Sequence, residues 1–168
     1  FGAALQPVEV QDADAWVWMA YDQLNVAILE SLKLEGRLGV LLIESSAKAQ
    51  RRPYHQQKLG VLLSNQRHFA LELQAMGYPV VYLVGGTPYD QLLASAAVQF
   101  GALHCITAAE RELRNEVAHL IEDGILIEHE HPGWLTPQDW FTNSVGHEPP
   151  FRMDSFYRKV RKETGWLM

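Results

Sequence analysis

Five short apolar runs alternate with helical segments along most of the chain, and this alternation constrains the fold more than any other feature. The runs span residues 15–21, 39–44, 79–84, 102–107 and 125–129. Continuous apolar runs of this length are typical of strands buried on both faces, and strands that alternate with helices pair in parallel. The sequence therefore predicts an α/β fold: a Rossmann-like five-stranded parallel sheet with helices on both faces and right-handed crossovers.

Cap and turn residues place helices between these strands. Asn25 is a good N-cap, Gly36 is expected to end the first helix, and Thr87 with Pro88 is typical of a cap and a first helical residue. The polar and basic residues 45–53 are interpreted as a functional loop. The predicted helices span residues 26–34, 54–76, 89–100 and 110–122.

The alternation stops after residue 133. Residues 1–133 are therefore expected to form the α/β domain, and residues 134–168 a helical connector. The last predicted helix begins near Asp154 and carries Phe156, Tyr157 and Val160 on one face. Residues 151–168 hold five basic and two acidic side chains, although the chain as a whole has a formal net charge of −6. Such a basic helix is expected to contact nucleic acid or an acidic partner, to pack on its own domain, or to connect to a further domain outside this sequence.

Composition excludes several classes of protein. The chain has 168 residues, 48% of them hydrophobic, so it can bury a core without disulfides. Its one cysteine, Cys105, excludes a disulfide framework and a four-cysteine metal or iron–sulfur site made by this chain alone. No apolar run reaches the roughly 18 residues of a membrane span, which predicts no membrane partner. One thiol and no signal peptide favour a cytoplasmic location.

Polar residues follow the first two predicted strands. In a parallel sheet, ligands bind beyond the carboxyl ends of the strands. Asp22 and Gln23 follow the first strand and suit the edge of a heterocycle or a hydroxyl, although a helix-capping loop is the simpler alternative. Glu44 ends the second strand, where it is either a ligand acceptor or a solvated strand end.

A basic segment follows Glu44. Lys48, Arg51 and Arg52 lie within four residues of one another after the second strand. This pattern indicates either contact with phosphate or another anion, or a solvated surface loop.

No motif predicts a catalytic or metal-binding residue. The first strand is not followed by a glycine-rich dinucleotide-binding turn, and the chain has no phosphate-binding P-loop and no nucleophile elbow. His129, Glu130 and His131 are possible metal ligands, but successive residues of a strand point to opposite faces of the sheet.

Three segments resemble one protein family. Residues 151–158 (FRMDSFYR) with 164–168 (TGWLM) closely resemble the junction segment of the deoxyribodipyrimidine photolyase-related proteins, the iron–sulfur bacterial photolyases and cryptochromes. Residues 22–24 (DQL) and 63–69 (LSNQRHF) are similar to further segments of that family. The resemblance is collinear from about residue 15 to residue 168.

The resemblance implies a function. Members of that family are lyases that use light to repair pyrimidine photoproducts in DNA, or flavoproteins that sense blue light. This chain is then expected to be the N-terminal domain, which holds an antenna chromophore, dimethyl-ribityllumazine or a similar molecule. FAD, the iron–sulfur cluster and most contacts with DNA are expected in a C-terminal helical domain outside this sequence, and this domain alone is not expected to be catalytic.

The resemblance also suggests which residues form the antenna site. Gln23 is included because it lies in the loop after the first strand, next to Asp22. Lys48 and Arg51 stand where the family usually has glutamate and tyrosine, and an ammonium group donates hydrogen bonds where a carboxylate accepts them. Two alternatives therefore stay open: a ligand-binding or protein-interaction module of the same ancestry that has lost the antenna site, and an unrelated small-molecule enzyme. The expected site residues are Asp22, Gln23, Ile43, Glu44, Lys48, Arg51 and Leu62.

Overall fold

A parallel sheet of five strands is the centre of the first of two units in the computed structural model. The structure describes residues 4–166, and the units divide between His131 and Pro132. The strands are β1 (Ala15–Trp18), β2 (Leu38–Ser45), β3 (Val80–Gly85), β4 (Leu103–Ile106) and β5 (Leu126–His129). The helices are α1 (Val26–Glu30), α2 (Ser46–Gln50), α3 (Gln56–Ala75), α4 (Tyr89–Phe100), α5 (Arg111–Glu122), α6 (Gln138–Val145) and α7 (Met153–Thr164).

The predicted α/β class and parallel sheet are confirmed. The strand order is β3-β2-β1-β4-β5, and every neighbouring pair is parallel. Side chains of alternate strand residues enter two separate apolar clusters, one on each face. Trp16 and Trp18 join α4 and α5 on one face, whereas Val17 joins α1 and α3 on the other.

Two predictions need correction: the end of the first helix and the loop over residues 45–53. Asn25 caps α1 as predicted, accepting a hydrogen bond from the Ala27 amide at 2.9 Å. The helix ends at Glu30 rather than at residue 34, and Lys33 then adopts a positive φ of 49°. The segment 45–53 is not wholly a loop, because Ser45 accepts from the Lys48 amide and caps the short helix α2.

The cap of α4 also differs from the prediction. Thr87 is not the N-cap; Pro88 occupies that position and makes no side-chain cap hydrogen bond. Glu116 of α5 supplies the acceptor instead, since its Oε1 lies 2.7 Å from the Tyr89 amide nitrogen. A carboxylate is favourable at the N-terminus of a helix. Glu116, which is distant in sequence, therefore caps α4 in place of Thr87.

The second unit contains α6 and α7, which pack through aromatic side chains. Phe141 lies 5.4 Å from Phe151 and 5.2 Å from Phe156 between ring centroids. Phe156 and Val160 are partly buried. Tyr157 is 52% exposed, so the prediction that it shares one packed face with them is wrong. Among residues 4–166, every helix is too short or too polar to cross a bilayer.

Candidate functional site

A cavity of about 310 Å³ lies beyond the carboxyl ends of the central strands. Tyr21 follows β1, Glu44 and Ser45 end β2, and Glu110 follows β4. The strand order reverses between β1 and β4, which is where open parallel sheets bind ligands. A cavity of this size is at the lower end of small-molecule sites. Its wall also includes Lys48, Ala49, Arg52, Tyr54, Lys58, Leu59, Leu62, Leu63, Gln66 and Tyr89.

One side of the cavity is held by a network centred on Glu110. Lys48 Nζ donates to Glu110 Oε1 at 2.7 Å, and the Tyr21 hydroxyl donates to Glu110 Oε2. Burial alone would raise the pKa of Glu110, but the hydrogen bonds from Lys48 and Tyr21 outweigh it and lower that pKa. An ammonium group has three N–H donors, so Lys48 keeps two for a ligand.

A second network fixes Glu44. Arg67 donates from Nε to Oε1 at 2.6 Å and from Nη2 to Oε2 at 2.8 Å, while the Tyr82 hydroxyl donates to Oε1. Burial opposes ionisation, but these hydrogen bonds outweigh it and lower the pKa of Glu44. Since a carboxylate has about four lone-pair sites, Glu44 can accept one further hydrogen bond.

The rest of the wall is largely aromatic and apolar. The rings of Tyr21 and Tyr89 lie 6.4 Å apart between centroids, and Leu59, Leu62 and Leu63 enter from α3. Burial raises the pKa of both tyrosines, and the negative charge of Glu110 adds to this effect. Their hydroxyls therefore stay neutral donors. A planar ligand ring can pack against the two tyrosine rings and the three leucine side chains of such a wall.

Two more ion pairs join the segment after β2 to α5 beside the cavity. Arg51 Nη2 lies 2.8 Å from Glu116 Oε2, and Arg52 pairs with Glu112. Together with the pair of Lys48 and Glu110, three basic residues of the segment after β2 pair with three glutamates at the start or in the first half of α5. The basic segment is thus mostly neutralised within the protein, although the side chains of Arg51 and Arg52 stay 37% and 59% exposed. Its contact with an anion stays a prediction.

Three of the seven predicted site residues line the cavity: Glu44, Lys48 and Leu62. Gln23 is buried but has a structural role, because its Nε2 donates to the carbonyl oxygens of Ile106 and Thr107 at 3.1 Å each. This contact joins the end of β1 to the end of β4. Ile43 is buried, and its carbonyl accepts from Gln66 Nε2 at 2.8 Å.

The other two predicted residues lie beside the cavity. Arg51 is occupied by Glu116, as described above. Asp22 is exposed and is not part of the wall, although partial desolvation and the nearby Glu110 raise the pKa of Asp22. Its charge also acts on Tyr21 and Tyr89. Asp22 therefore influences the site electrostatically from outside the wall.

Sequence reasoning missed the aromatic residues and Glu110. Tyr21 lies at the end of the first predicted strand, in the same candidate loop as Asp22 and Gln23, but is not among the expected site residues. Tyr89 and Glu110 are predicted only as the first residues of helices. One available signal was position, since each lies just beyond a strand end or at a helix start on the carboxyl side of the sheet. Tyr54 and Lys58, at the start of α3, meet the same criterion.

Two histidines lie together away from this wall. His104 Nδ1 and His129 Nε2 are 2.9 Å apart on neighbouring strands β4 and β5. Burial and the proximity of His129 lower the pKa of His104, so it is a neutral partner at neutral pH. Within the described part of the chain, no group of three or more histidine, cysteine or acidic side chains is placed to hold a metal ion.

Comparison with known proteins gives one family. The family described as deoxyribodipyrimidine photo-lyase-related protein matches residues 17–168 through its sequence model. That match includes all five strands except the first two residues of β1, together with the cavity wall and both helices of the second unit. No curated protein sequence matches the chain.

Proposed function

The chain belongs to the deoxyribodipyrimidine photo-lyase-related protein family, and we propose that its first unit is the antenna-type domain of a light-driven DNA-repair or blue-light-sensing protein. In this role the unit holds a flat chromophore in the cavity at the carboxyl ends of β1 and β2. The chromophore is dimethyl-ribityllumazine or a related heterocycle. FAD, an iron–sulfur cluster and contacts with DNA belong to a helical domain outside this sequence.

The observation that carries the proposal is the combination of wall chemistry and position. The cavity lies at the switch in strand order, and its wall has aromatic rings, leucines and a few oriented polar groups. Such a wall suits a planar heterocycle with polar edges. Lys48 can donate to ring carbonyls, and Glu44 has one acceptor site for a ring N–H or a ribityl hydroxyl.

An antenna needs rigidity rather than a catalytic group. Energy transfer depends on the distance and orientation between two chromophores, so the wall must hold one of them still. The tyrosines and carboxylates here are already fixed by hydrogen bonds to other protein groups, which preorganises the wall. The chromophore absorbs the light when bound, and the residues only bind it, orient it and exclude water.

A direct test uses a blocked cavity. Leu62→Trp places a larger ring in the cavity, whereas Val61→Trp adds the same ring one residue earlier on α3, where Val61 is 61% exposed and outside the wall. The wild-type chain and Val61→Trp should quench or shift the fluorescence of dimethyl-ribityllumazine, and Leu62→Trp should not. Absence of any change with the wild-type chain would contradict the proposal.

One contact favours a second candidate. Lys48 and Glu110 pair with each other across the wall, so neither charge needs a ligand to compensate it. In that case the unit is a binding or protein-interaction module of the same ancestry. The titration separates the two, because only the antenna-type domain binds the lumazine at the cavity.

A further inference from the structure

We propose that the ligand of this cavity carries a phosphate monoester, which Lys58 binds at the rim while the heteroaromatic ring occupies the interior. This inference rests on the proposed function and specifies its ligand class. It distinguishes a phosphorylated heterocycle from a neutral one such as dimethyl-ribityllumazine. The residues that support it are on the wall built by α2 and α3.

The sequence that forms that wall carries charge of one sign. Residues 45–71 contain five lysine and arginine residues and no acidic residue, although the whole chain has a net charge of −6. Three of these cations line the cavity: Lys48, Arg52 and Lys58. Two of these three, Lys48 and Arg52, are paired with glutamates, which leaves the charge of Lys58 to act on a ligand.

Four of the five cations already have a carboxylate partner, and Lys58 is the exception. Lys48, Arg51, Arg52 and Arg67 pair with Glu110, Glu116, Glu112 and Glu44 in turn. Within residues 4–166, Lys58 makes no ion pair; its ammonium lies 5.4 Å from the centroid of the Tyr54 ring. Lys58 is exposed, so its charge is available at the opening of the cavity.

The acidic residues of the wall do not oppose an anion at this position. Glu44 is held by Arg67 and Tyr82, and Glu110 by Lys48 and Tyr21. Each carboxylate is therefore compensated by a cation within hydrogen-bond distance. An incoming phosphate would meet Lys58 as an uncompensated point charge, which is how lysine commonly binds phosphate.

The volume of the cavity also favours a ring in the interior and a phosphate at the rim. The cavity of about 310 Å³ suits a fused ring system and part of its side chain. A terminal phosphate would then lie at the rim, beside Lys58 and Tyr54, both of which line the cavity from the start of α3. The phosphate keeps much of its hydration there, which reduces the cost of binding a dianion.

The experiment compares two probes that differ only in the phosphate. FMN and riboflavin share the same ring and ribityl chain, so each is titrated into the 168-residue chain at low salt and followed by flavin fluorescence. We expect FMN to bind roughly fivefold or more tightly than riboflavin, and higher salt to reduce this ratio. Dimethyl-ribityllumazine is titrated in parallel as a neutral ligand.

Two variants locate the effect. Lys58→Gln should bring the FMN-to-riboflavin affinity ratio close to one. Lys33→Gln removes the same charge at an exposed site before β2, outside the cavity wall, and should keep the ratio. Loss of the ratio in both variants would overturn the role of Lys58.

The remaining outcomes separate this inference from the proposed function. If the lumazine binds but FMN binds no more tightly than riboflavin, the phosphate inference is wrong and the chromophore site stands. If none of the three probes binds, the proposed function fails and the inference fails with it.

Discussion

Lys48 and Glu110 form an ion pair of 2.7 Å across the wall of the cavity, and only 9% of the Lys48 side chain is exposed. The pair joins α2, which follows β2, to the start of α5, which follows β4. It therefore connects two segments on either side of β1, the strand at whose end the cavity opens. The shape of the site depends on this contact as well as on the sheet.

Removal of one partner of this pair should destabilise the fold. Glu110→Gln leaves the ammonium of Lys48 without a counter-charge in a nearly buried position, and we expect a loss of about 1–2 kcal/mol in the free energy of unfolding. The double variant Lys48→Gln with Glu110→Gln should regain much of that loss. Urea unfolding of the four proteins in the cycle measures the coupling; strict additivity would contradict it.

Stability should fall in acid because of Glu44 and Glu110. Hydrogen bonds from cations and tyrosines lower both pKa values below their ordinary value of 4.5. Between the folded and unfolded pKa values the unfolded state binds more protons, so this stabilisation is present above about pH 4.5 and is lost as the pH falls.

Glu44→Gln tests this pH dependence. Urea unfolding between pH 3 and pH 7 should show a shallower decline in acid for Glu44→Gln than for the wild-type chain. Glu30→Gln, at an exposed position, is the matched control and should keep the wild-type slope. An unchanged slope in Glu44→Gln would contradict the assignment.

The distant cap of α4 gives a third prediction. Glu116 Oε1 accepts from the Tyr89 amide at 2.7 Å, and only 8% of the Glu116 side chain is exposed. Glu116→Ala should therefore cost about 1–2 kcal/mol of unfolding free energy and accelerate hydrogen exchange at the Tyr89 amide. Glu116→Gln keeps an acceptor oxygen and should retain more of the protection. Wild-type protection of the Tyr89 amide in Glu116→Ala would contradict the role of this cap.

Two glycines should respond to alanine in opposite directions. A Cβ at Gly39 would lie 2.6 Å from the ring of Trp16, its register partner on β1, and Trp16 is buried. We expect Gly39→Ala to cost about 1–3 kcal/mol. Gly60, within α3, has no neighbour within 4 Å of such a Cβ, so Gly60→Ala should stabilise the fold by about 0.5–1 kcal/mol. Thermal unfolding compares them, and a stabilised Gly39→Ala protein would contradict the packing.

Local patterns predicted the sheet because each strand is a continuous apolar run. The cap at Asn25 was also predicted, since its acceptor lies two residues from its donor. The cap of α4 was not, because Glu116 is 27 residues from Tyr89 along the chain. The segment 45–53 was assigned as a loop because a five-residue helix capped by Ser45 leaves too short a pattern to recognise.

The strand-end rule identified Glu44, whereas the family resemblance supplied Lys48 and Leu62, which lie on α2 and α3. Glu44 and Leu62 line the cavity, and Lys48 does so through its contact with Glu110, 62 residues away. Gln23 was chosen for its position after β1, but no local signal shows that its amide holds β4 instead. Tyr21 and Tyr89 meet only after the sheet has formed, so their pairing is invisible in the sequence.

A crystal structure of the chain with dimethyl-ribityllumazine tests the chromophore site most directly. We expect planar electron density in the cavity, with the rings of Tyr21 and Tyr89 on one side and Leu62 on the other, and a ligand acceptor within hydrogen-bond distance of Lys48. An empty cavity at saturating ligand, with Lys48 and Glu110 paired as they are here, would contradict the chromophore site.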